Sequence, residues 1–491
     1  MNFSYLDVII IILYLIGVAA YGILKGGKQK SARDYFVSEK AIPWWAVCFA
    51  VVATETSALT FISVPGIAYI GNLNFLQIAI GYIIGRVIIS YFLLPKYFEG
   101  EILTAYAYLN KRFGAKTKNF ASSVFMITRV FADGVRLYAT AIPLAIILKG
   151  YNIFTGAPDW QIYSISIIIM AIITLAYTYI GGVRAVIWTD VIQMFIYIGG
   201  GILALFVLAD KINMGFGEIF SNLSAKGKLS FIDFSFDFTK PYTLFASVIG
   251  GGFLSMASHG TDQLIVQRLL TTNSLEKSQK ALIWSGIIVF MQFFLFLLVG
   301  GMLFIFFNGE QMKSDEVFPK FIISHMPTGI SGIIIAGLLA AAMSTLSGSI
   351  SALSSTLVGD IYRPYLGKNK SEDEILKISK IIALIWSIIL IFSAFLFMNS
   401  SQAVVVIGLS IASFTYGGLL GTFLLGILFK NLRQIHAIIG FACGIIGMIF
   451  IIYFTKIAWT WYTIIGVMIT IITANIVLLF TSKRQSTNNQ Q

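Results

Sequence analysis

Apolar stretches long enough to cross a lipid bilayer recur from one end of this 491-residue sequence to the other. One helical crossing needs about 20 predominantly apolar residues, and we count about thirteen such stretches. Only 11% of the residues are charged and 57% are hydrophobic, whereas a soluble domain of this length needs more charge on its surface. The sequence therefore predicts an all-α polytopic membrane protein with about thirteen transmembrane helices embedded in a lipid bilayer.

The charge pattern predicts the orientation of these spans. We place them, within several residues, at 5–24, 43–66, 74–97, 119–149, 160–180, 184–208, 241–264, 281–307, 328–357, 375–397, 402–429, 433–454 and 458–481. Lysine and arginine gather in alternate short loops, and such loops face the cytoplasm. An odd number of spans then puts the N-terminus outside and the C-terminus in the cytoplasm, in the inner (plasma) membrane of a cell. The same pattern accounts for the net charge of +12 without binding of nucleic acid.

Two of the predicted spans carry polar residues and helix breakers in their middle. The second contains Thr54-Glu55-Thr56-Ser57 followed by Pro65-Gly66, and the seventh contains a glycine triplet at 250–252 followed by a polar run over 255–263. They lie five spans apart and so have opposite orientations. Paired interrupted spans of this kind are typical of inverted-repeat transporters with a binding site near the midplane.

We therefore expect a five-plus-five inverted-repeat core with broken helices. Residues 1–42 would hold the first span and a cytoplasmic loop, 43–208 the first repeat, 209–240 an extracellular loop with short amphipathic pieces, 241–430 the second repeat, and 431–491 two peripheral spans and a short cytoplasmic tail.

Asp190 is a carboxylate inside the apolar sixth span, where a charge is costly and faces a partner, an ion or water. In the ninth span, Ser344, Ser347 and Ser351 share one helical face. Such a face lets helices approach closely, with the hydroxyls bonded to backbone carbonyls. Beside a carboxylate it also suits a hard, oxygen-seeking cation. The residues alone leave both interpretations open.

Three stretches resemble the signatures of the sodium/solute symporter family: Gly181 to Gln193, Gly260 to Arg268, and Ala341 to Ser347. The resemblance extends over roughly residues 5–480. The family includes sodium-coupled carriers of sugars, sialic acid, proline, pantothenate, inositol and iodide. The resemblance implies a secondary active transporter that couples inward sodium flow to uptake of a small hydroxylated solute, such as a sugar or an acidic sugar of the sialic acid type.

The resemblance also implies site residues. The main sodium site would use Ala53, Thr56, Ala341, Ser344 and Thr345. A second sodium site would use Asp190, Ser344 and Ser347, although Gly348 stands where members with the fuller site have serine. The solute-binding residues would be Ser57, Thr60, Phe75, Gln77, Arg129, Arg136, His259, Asp262 and Gln263.

Each of three charged or titratable features has two possible interpretations. Arg129, Asp133 and Arg136 fall on one face of the fourth span, either as a buried charge network or as arginines for a solute carboxylate. His259 either binds solute or is hydrogen-bonded within the helix bundle. Glu55 is either a solute contact or a protonatable coupling group.

Other functions are less compatible with the sequence. An intramembrane enzyme needs a nucleophile with a base, or a metal cluster, but the three histidines, His259, His325 and His436, lie in distant segments. A proton-coupled carrier and a solute sensor remain as alternatives. The sequence is equally compatible with an amino acid, a vitamin or another organic anion as the solute. We expect the protein to be a monomer or weak oligomer.

Overall fold

The computed structural model describes residues 4–100, 102–150, 156–398 and 404–488, and over these residues it contains helices and no strand. The α-helices are α1 Tyr5–Gly26, α2 Ala32–Phe36, α3 Trp44–Glu55, α4 Ala58–Ile70, α5 Gln77–Phe92, α6 Leu94–Tyr97, α7 Ala107–Phe113, α8 Ala115–Gly150, α9 Asp159–Ile212, α10 Phe216–Ala225, α11 Gly251–Gly260, α12 Gln263–Leu270, α13 Leu275–Phe306, α14 Ser314–His325, α15 Ile330–Thr356, α16 Arg363–Tyr365, α17 Glu372–Phe395, α18 Val404–Leu428, α19 Gln434–Phe454 and α20 Tyr462–Asn488. Turns of 3-10 helix stand at Asn74–Leu76 and Trp459–Trp461, and π-helical turns at Ala246–Gly250 and Leu357–Tyr362.

The predicted spans fall on these helices. Among the described residues, eight helical segments are long and apolar enough to cross a membrane, and the bent pair α3 and α4 makes a ninth. The fourth span is the long helix α8, which carries the charged residues of that span. The eleventh span is α18, and the first two residues predicted for it, 402 and 403, lie outside the described residues. The all-helical membrane class is confirmed.

The fifth and sixth predicted spans join at a glycine with almost no loop. α9 runs through both, and the helical conformation breaks at Gly182, where φ is 59° and ψ is −156°. This φ is strained for any residue with a side chain. A Cβ at Gly182 would also lie 2.6 Å from the carbonyl oxygen of Tyr35. The glycine therefore sets the bend that carries the chain from one span into the next.

Small residues bring the third and seventh spans into close contact. A Cβ at Gly85 of α5 would lie 2.3 Å from the carbonyl oxygen of Gly252, and one at Gly81 would lie 2.4 Å from that of Ser247. Glycines four residues apart allow two transmembrane helices to approach backbone to backbone. The seventh span is held in this way against the third span.

Both spans predicted to be broken are broken. α3 ends at Glu55 and α4 restarts at Ala58, and the Ser57 hydroxyl accepts a hydrogen bond from the Thr60 amide. α11 ends at Gly260 and α12 restarts at Gln263, and a carboxylate oxygen of Asp262 accepts from the Leu264 amide at 2.9 Å. Each break leaves carbonyls at one helix end and amides at the next without intrahelical partners.

The first helix caps the ninth span. A carboxylate oxygen of Asp7, which is fully buried, accepts hydrogen bonds of 2.8 Å from the amides of Gly329 and Gly332 and from the Ser331 hydroxyl. These are donors that the start of α15 cannot satisfy by itself. A carboxylate at a helix N-terminus is also favoured by the helix dipole. α1 thus fixes the position of α15, the helix with the serine face.

The segment predicted as a loop between the sixth and seventh spans contains α10 and then docks on α4. The buried Lys228 donates hydrogen bonds to the carbonyls of Tyr69 at 2.6 Å, Gly71 at 2.9 Å and Ile70 at 3.3 Å. Its ammonium lies 4.0 Å from the ring centroid of Phe304. Burial lowers the pKa of Lys228. The Lys228 side chain of the loop therefore caps the C-terminal end of α4.

Candidate functional site

The two helix breaks face a common cavity of about 240 Å³. Its lining includes Glu55, Ser57 and Thr60 from the first break, Ser258, His259 and Asp262 from the second, and Arg129, Arg136 and Tyr416 from α8 and α18. Hydroxyl, carboxylate, imidazole and guanidinium groups therefore converge on one space in the middle of the bundle. Convergent polar groups in an otherwise apolar cavity are typical of a small-molecule site.

An aromatic wall closes one side of this cavity. The Phe75 ring lies 5.1 Å from that of Phe293 and 5.3 Å from that of Tyr242, centroid to centroid. Phe75 and Tyr242 also line a wider, neighbouring cavity of about 450 Å³ that extends to Asp233 and Lys240 of the loop. The two rings thus stand between the central cavity and a vestibule on the side of that loop.

The charged residues of the fourth span form a network with the second helix break. The buried Arg129 places Nε 3.2 Å from Asp133 and Nη2 3.3 Å from Asp262, and Tyr416 donates to Asp262 at 2.9 Å. Arg136 places Nη1 3.3 Å from Asp133 and keeps 25% of its side chain exposed. The sequence predicted one net positive charge here. The structure adds Asp262, so the two arginines and two aspartates have a formal charge of zero.

Asp133 also connects this network to the ninth span. The hydroxyl of Ser349 donates to a carboxylate oxygen of Asp133 and lies 2.9 Å from the carbonyl oxygen of Thr345. Thr345 is one of the residues expected to bind the main sodium. The arginines at the cavity and the Thr345 side of α15 are therefore joined through one aspartate.

Glu55 and His259 meet at the edge of the cavity. The carboxylate of Glu55 pairs with the fully buried Arg86, whose Nη1 donates to the Ser285 hydroxyl at 2.6 Å. His259 places Nε2 3.5 Å from the same carboxylate, and its Nδ1 lies 2.8 Å from the Ser258 hydroxyl. Glu55 keeps 16% of its side chain exposed. Both groups are anchored in the bundle and still border the cavity.

Thr56, expected as a sodium ligand, turns its side chain away from the ninth span. Its hydroxyl accepts from Gln292 Nε2 at 2.7 Å and from the Tyr197 hydroxyl at 3.2 Å, and it donates to the Val52 carbonyl at 3.0 Å. Because α3 ends at Glu55, the carbonyls of its last turn lack helical donors. Because the Thr56 hydroxyl is occupied by these three partners, the group that Thr56 can offer at the break is its backbone carbonyl.

Thr345, one of the α15 residues expected at the main sodium site, lies beside this break, whereas the hydroxyl of Ser344 donates to Asp190. A void of about 10 Å³ is lined by Ser57 at the break and by Ala342 and Thr345 of α15. The Thr345 hydroxyl donates to the Ala341 carbonyl at 3.1 Å. The structure thus brings the second and ninth spans together where carbonyl and hydroxyl oxygens are concentrated, which are the ligands that a hard cation prefers.

Asp190 meets both a predicted and an unpredicted partner. Ser344 donates to Asp190 Oδ1 at 2.7 Å, and Arg268 donates to Oδ2 from Nε at 3.2 Å and Nη2 at 2.9 Å. The Ser347 hydroxyl donates to the Ser344 carbonyl at 3.1 Å. The three residues expected at a second sodium site are adjacent, but a guanidinium already occupies one carboxylate oxygen.

Two residues expected to bind solute do not line the cavity. Gln77 donates to the Tyr242 carbonyl at 3.0 Å, and Gln263 accepts from the Ala105 amide at 2.8 Å and donates to the Ser355 hydroxyl at 3.1 Å. Both amides are fully buried and hold backbone in place. Ser57, Thr60, Phe75, Arg129, Arg136, His259 and Asp262 do line it.

Three members of these clusters were not predicted from the sequence: Arg86, Arg268 and Gln292. Each is a strongly polar residue within or at the end of an apolar span, and such residues usually face the bundle interior. That signal was present for all three. Tyr416 carries no comparable signal, because a tyrosine in a span also suits an apolar or interfacial position.

Comparison with known proteins gives consistent matches over nearly the whole chain. The model of the sodium:solute symporter family matches residues 35–447. The sodium/sialic acid symporter SiaT of Proteus mirabilis is 28% identical over 97% of this chain and 95% of that protein. The sodium/sialic acid symporter NanT of Aliivibrio fischeri is 28% identical over 96% of this chain and 92% of that protein. The sodium/glucose cotransporter of Vibrio parahaemolyticus is 26% identical over 90% of this chain and 84% of that protein.

Solved structures match in the same way. A substrate-bound, outward-open structure of a Na+-coupled sialic acid symporter superimposes with a TM-score of 0.86 and 28% identity, over 97% of this chain and 98% of that chain. Mhp1, a nucleobase-cation-symport-1 family transporter, superimposes in its closed, bromovinylhydantoin-bound conformation with a TM-score of 0.58 at 12% identity. The second match shows the inverted-repeat fold alone, as the sequence predicted.

Proposed function

This chain belongs to the sodium:solute symporter family, and on that basis we propose both its solute and the way in which sodium is coupled to it. It is a multi-pass membrane transporter that couples sodium to a solute, and not an enzyme. We propose that the solute is an acidic sugar of the sialic acid type. Exposure of Arg136 to the central cavity is the observation that carries this proposal.

Arg136 is suited to hold a solute carboxylate. Its partner Asp133 also forms an ion pair with Arg129 and accepts a hydrogen bond from Ser349, so Asp133 keeps a charge partner and one donor when Arg136 turns to a solute. A guanidinium binds a carboxylate through two parallel hydrogen bonds. Arg129, by contrast, is buried between Asp133 and Asp262 and acts as the structural member of the network.

The charge balance of the cavity favours an anion taken up with one sodium. Two arginines balance two aspartates in the network of Arg136, and Arg86 balances Glu55. The empty site is formally neutral when His259 is uncharged. A solute carboxylate and one sodium add opposite charges, so the loaded site is neutral as well. An uncompensated charge at this depth would be costly.

The rest of the lining suits a hydroxylated ring. Ser57, Thr60 and Ser258 offer hydroxyls, and Glu55 offers a carboxylate that can accept from sugar hydroxyls. Phe75 provides an apolar face at the entrance. The relatives SiaT and NanT, named as sodium/sialic acid symporters, are consistent with this choice. An amino acid, a vitamin or another organic anion is the alternative solute.

For the main sodium we propose a site formed by backbone carbonyls at the end of α3 and by oxygens of α15. The ligands would be the carbonyls of Ala53, Thr56 and Ala341 and the hydroxyls of Ser344 and Thr345. Sodium there would tie α15 to the break of the second span and preform the wall that carries Ser57. The chain from Thr345 through Ser349 and Asp133 gives a physical link to Arg136.

This coupling has two thermodynamic consequences. Solute must tighten sodium binding by the same factor by which sodium tightens solute binding. The membrane potential is worth about 2.3 kcal/mol per transported charge for each 100 mV, so uptake of one sodium with one carboxylate, which carries no net charge, should not depend on it. We further propose that the N-terminus is outside and the C-terminus in the cytoplasm of the plasma membrane, with repeats at 43–208 and 241–430, and that the protein works as a monomer or weak oligomer.

Uptake by purified protein in proteoliposomes tests the proposal. An inward sodium gradient should drive accumulation of radiolabelled N-acetylneuraminic acid, and replacement of sodium by choline at fixed pH should abolish it. Sodium-independent accumulation driven by a pH gradient would identify a proton-coupled carrier. Sodium-driven uptake of galactose, proline or pantothenate in preference to sialic acid would refute the acidic-sugar assignment while leaving the sodium coupling in place.

A further inference from the structure

The guanidinium of Arg268 is the counterion of Asp190 deep inside the protein. Asp190 is fully buried and Arg268 is 1% exposed. Two nitrogens of Arg268 donate to one carboxylate oxygen of Asp190, and Nη1 donates to the Leu264 carbonyl at 2.7 Å. The guanidinium is therefore held on both sides. Ser344 donates to the other carboxylate oxygen.

The groups around this pair would otherwise form a cation site. The Asp190 carboxylate lies with the hydroxyls of Ser344 and Ser347 in the same region of the bundle. One helical turn beyond Asp190, the side chain of Gln193 is fully buried, and among the described residues neither its oxygen nor its nitrogen has a hydrogen-bond partner. Carboxylate, hydroxyl and amide oxygens are ligands for hard cations.

Gly348 makes room for the guanidinium. A Cβ at this position would lie 2.6 Å from Nη2 and 3.1 Å from Nη1 of Arg268, and 2.8 Å from Cδ1 of Leu264. Separations of this size are too short for a side chain to share the space. The backbone of α15 cannot yield easily at a packed helix, whereas the end of an arginine can. A side chain at position 348 would therefore displace the guanidinium from its present position against Asp190.

We propose that Arg268 replaces an auxiliary sodium as the counterion of Asp190, and that Gly348 makes this replacement possible. The pair is formally neutral, so a sodium beside it would leave an unbalanced positive charge in a low-dielectric interior. The protein then binds one sodium, at the site between the second and ninth spans. This count rests on the function proposed above.

Equilibrium binding of ²²Na⁺ to the purified, full-length protein measures the number of sodium ions directly and needs no solute. Wild type should bind one sodium per chain. Gly348→Ser should bind one more, because its side chain displaces the guanidinium and its hydroxyl adds a ligand. Gly348→Ala is the matched control, since it displaces the guanidinium without adding a ligand, and it should bind fewer sodium ions than Gly348→Ser.

A second variant keeps the test decisive if Gly348→Ser does not fold. Arg268→Gln removes the cation, supplies an amide oxygen and should also bind one sodium more than wild type. Equal sodium counts in wild type and in whichever of these two variants folds would overturn the replacement, as would two sodium ions in wild type. The replacement is tested by the difference between variants. The absolute count in wild type tests the main sodium site, and a count of zero would refute that site.

Discussion

Replacement of Arg136 by glutamine should lower the affinity for an acidic sugar far more than the affinity for its neutral analogue. Arg136 lines the central cavity, keeps a quarter of its side chain exposed and, within the part of the chain that the structure describes, has one ion-pair partner, Asp133. Asp133 keeps its ion pair with Arg129 and its hydrogen bond from Ser349 in the variant. The loss should therefore fall on the solute and not on folding.

The size of the effect follows from the contacts that are removed. Hydrogen bonds to a charged group contribute about 1.5–3 kcal/mol each. Two such bonds from Arg136, discounted for its partial exposure to water, give about 3 kcal/mol for the pair. Since about 1.4 kcal/mol corresponds to a tenfold change in affinity, we expect a loss of roughly a hundredfold. Arg136→Lys keeps the charge but cannot form the two parallel hydrogen bonds of a guanidinium, so its affinity for the acidic sugar should fall roughly tenfold.

Isothermal titration at saturating sodium measures these affinities, with N-acetylneuraminic acid compared with its methyl ester and with N-acetylmannosamine. Sodium-dependent thermal stabilisation of Arg136→Gln provides the control that the sodium site and the fold are intact. Equal losses for the acid and the neutral analogues would refute the assignment of Arg136 to the carboxylate. An affinity for the acid within threefold of wild type would refute it as well.

Three further predictions concern sodium binding and stability. Thr345→Ala should raise the sodium concentration for half-maximal uptake roughly ten- to a hundredfold while Thr345→Ser stays near wild type; equal behaviour of both would remove Thr345 from the site. Asp190→Asn should destabilise the protein by about 3–5 kcal/mol because it leaves Arg268 unpaired. Thermal unfolding checks this, and the double variant Asp190→Asn/Arg268→Gln should recover most of the loss. Lys228→Met should cost about 1.5–3 kcal/mol by losing the α4 carbonyls, whereas Lys226→Met in the exposed part of the loop should have little effect on the melting temperature.

Hydropathy and the position of helix breakers were sufficient to predict the membrane class, the two broken spans and their convergence. These features are local in sequence, because a bilayer demands one apolar run for each crossing. The turn at Gly182 between the fifth and sixth spans was located within a few residues for the same reason. Local signals thus account for the architecture.

The partners of the buried charges were not predictable in the same way. Asp190 meets Arg268 and Asp133 meets Ser349 across long distances in the chain, and one sequence does not indicate which buried polar groups pair. Gln77, which was expected to contact solute, donates from its amide to the backbone carbonyl of Tyr242. The direction of a side chain depends on neighbours that only the folded chain supplies.

The attachment of Lys228 to α4 has a consequence for how this transporter can be controlled from outside the solute site. α4 is the half of the broken second span that contributes Thr60, Ser63 and Ile67 to the lining of the central cavity. Since the Lys228 ammonium binds the carbonyls at the end of that half-helix, any movement of α4 during transport would have to carry the loop along or break these hydrogen bonds. An antibody fragment that binds and immobilises the loop should therefore slow turnover.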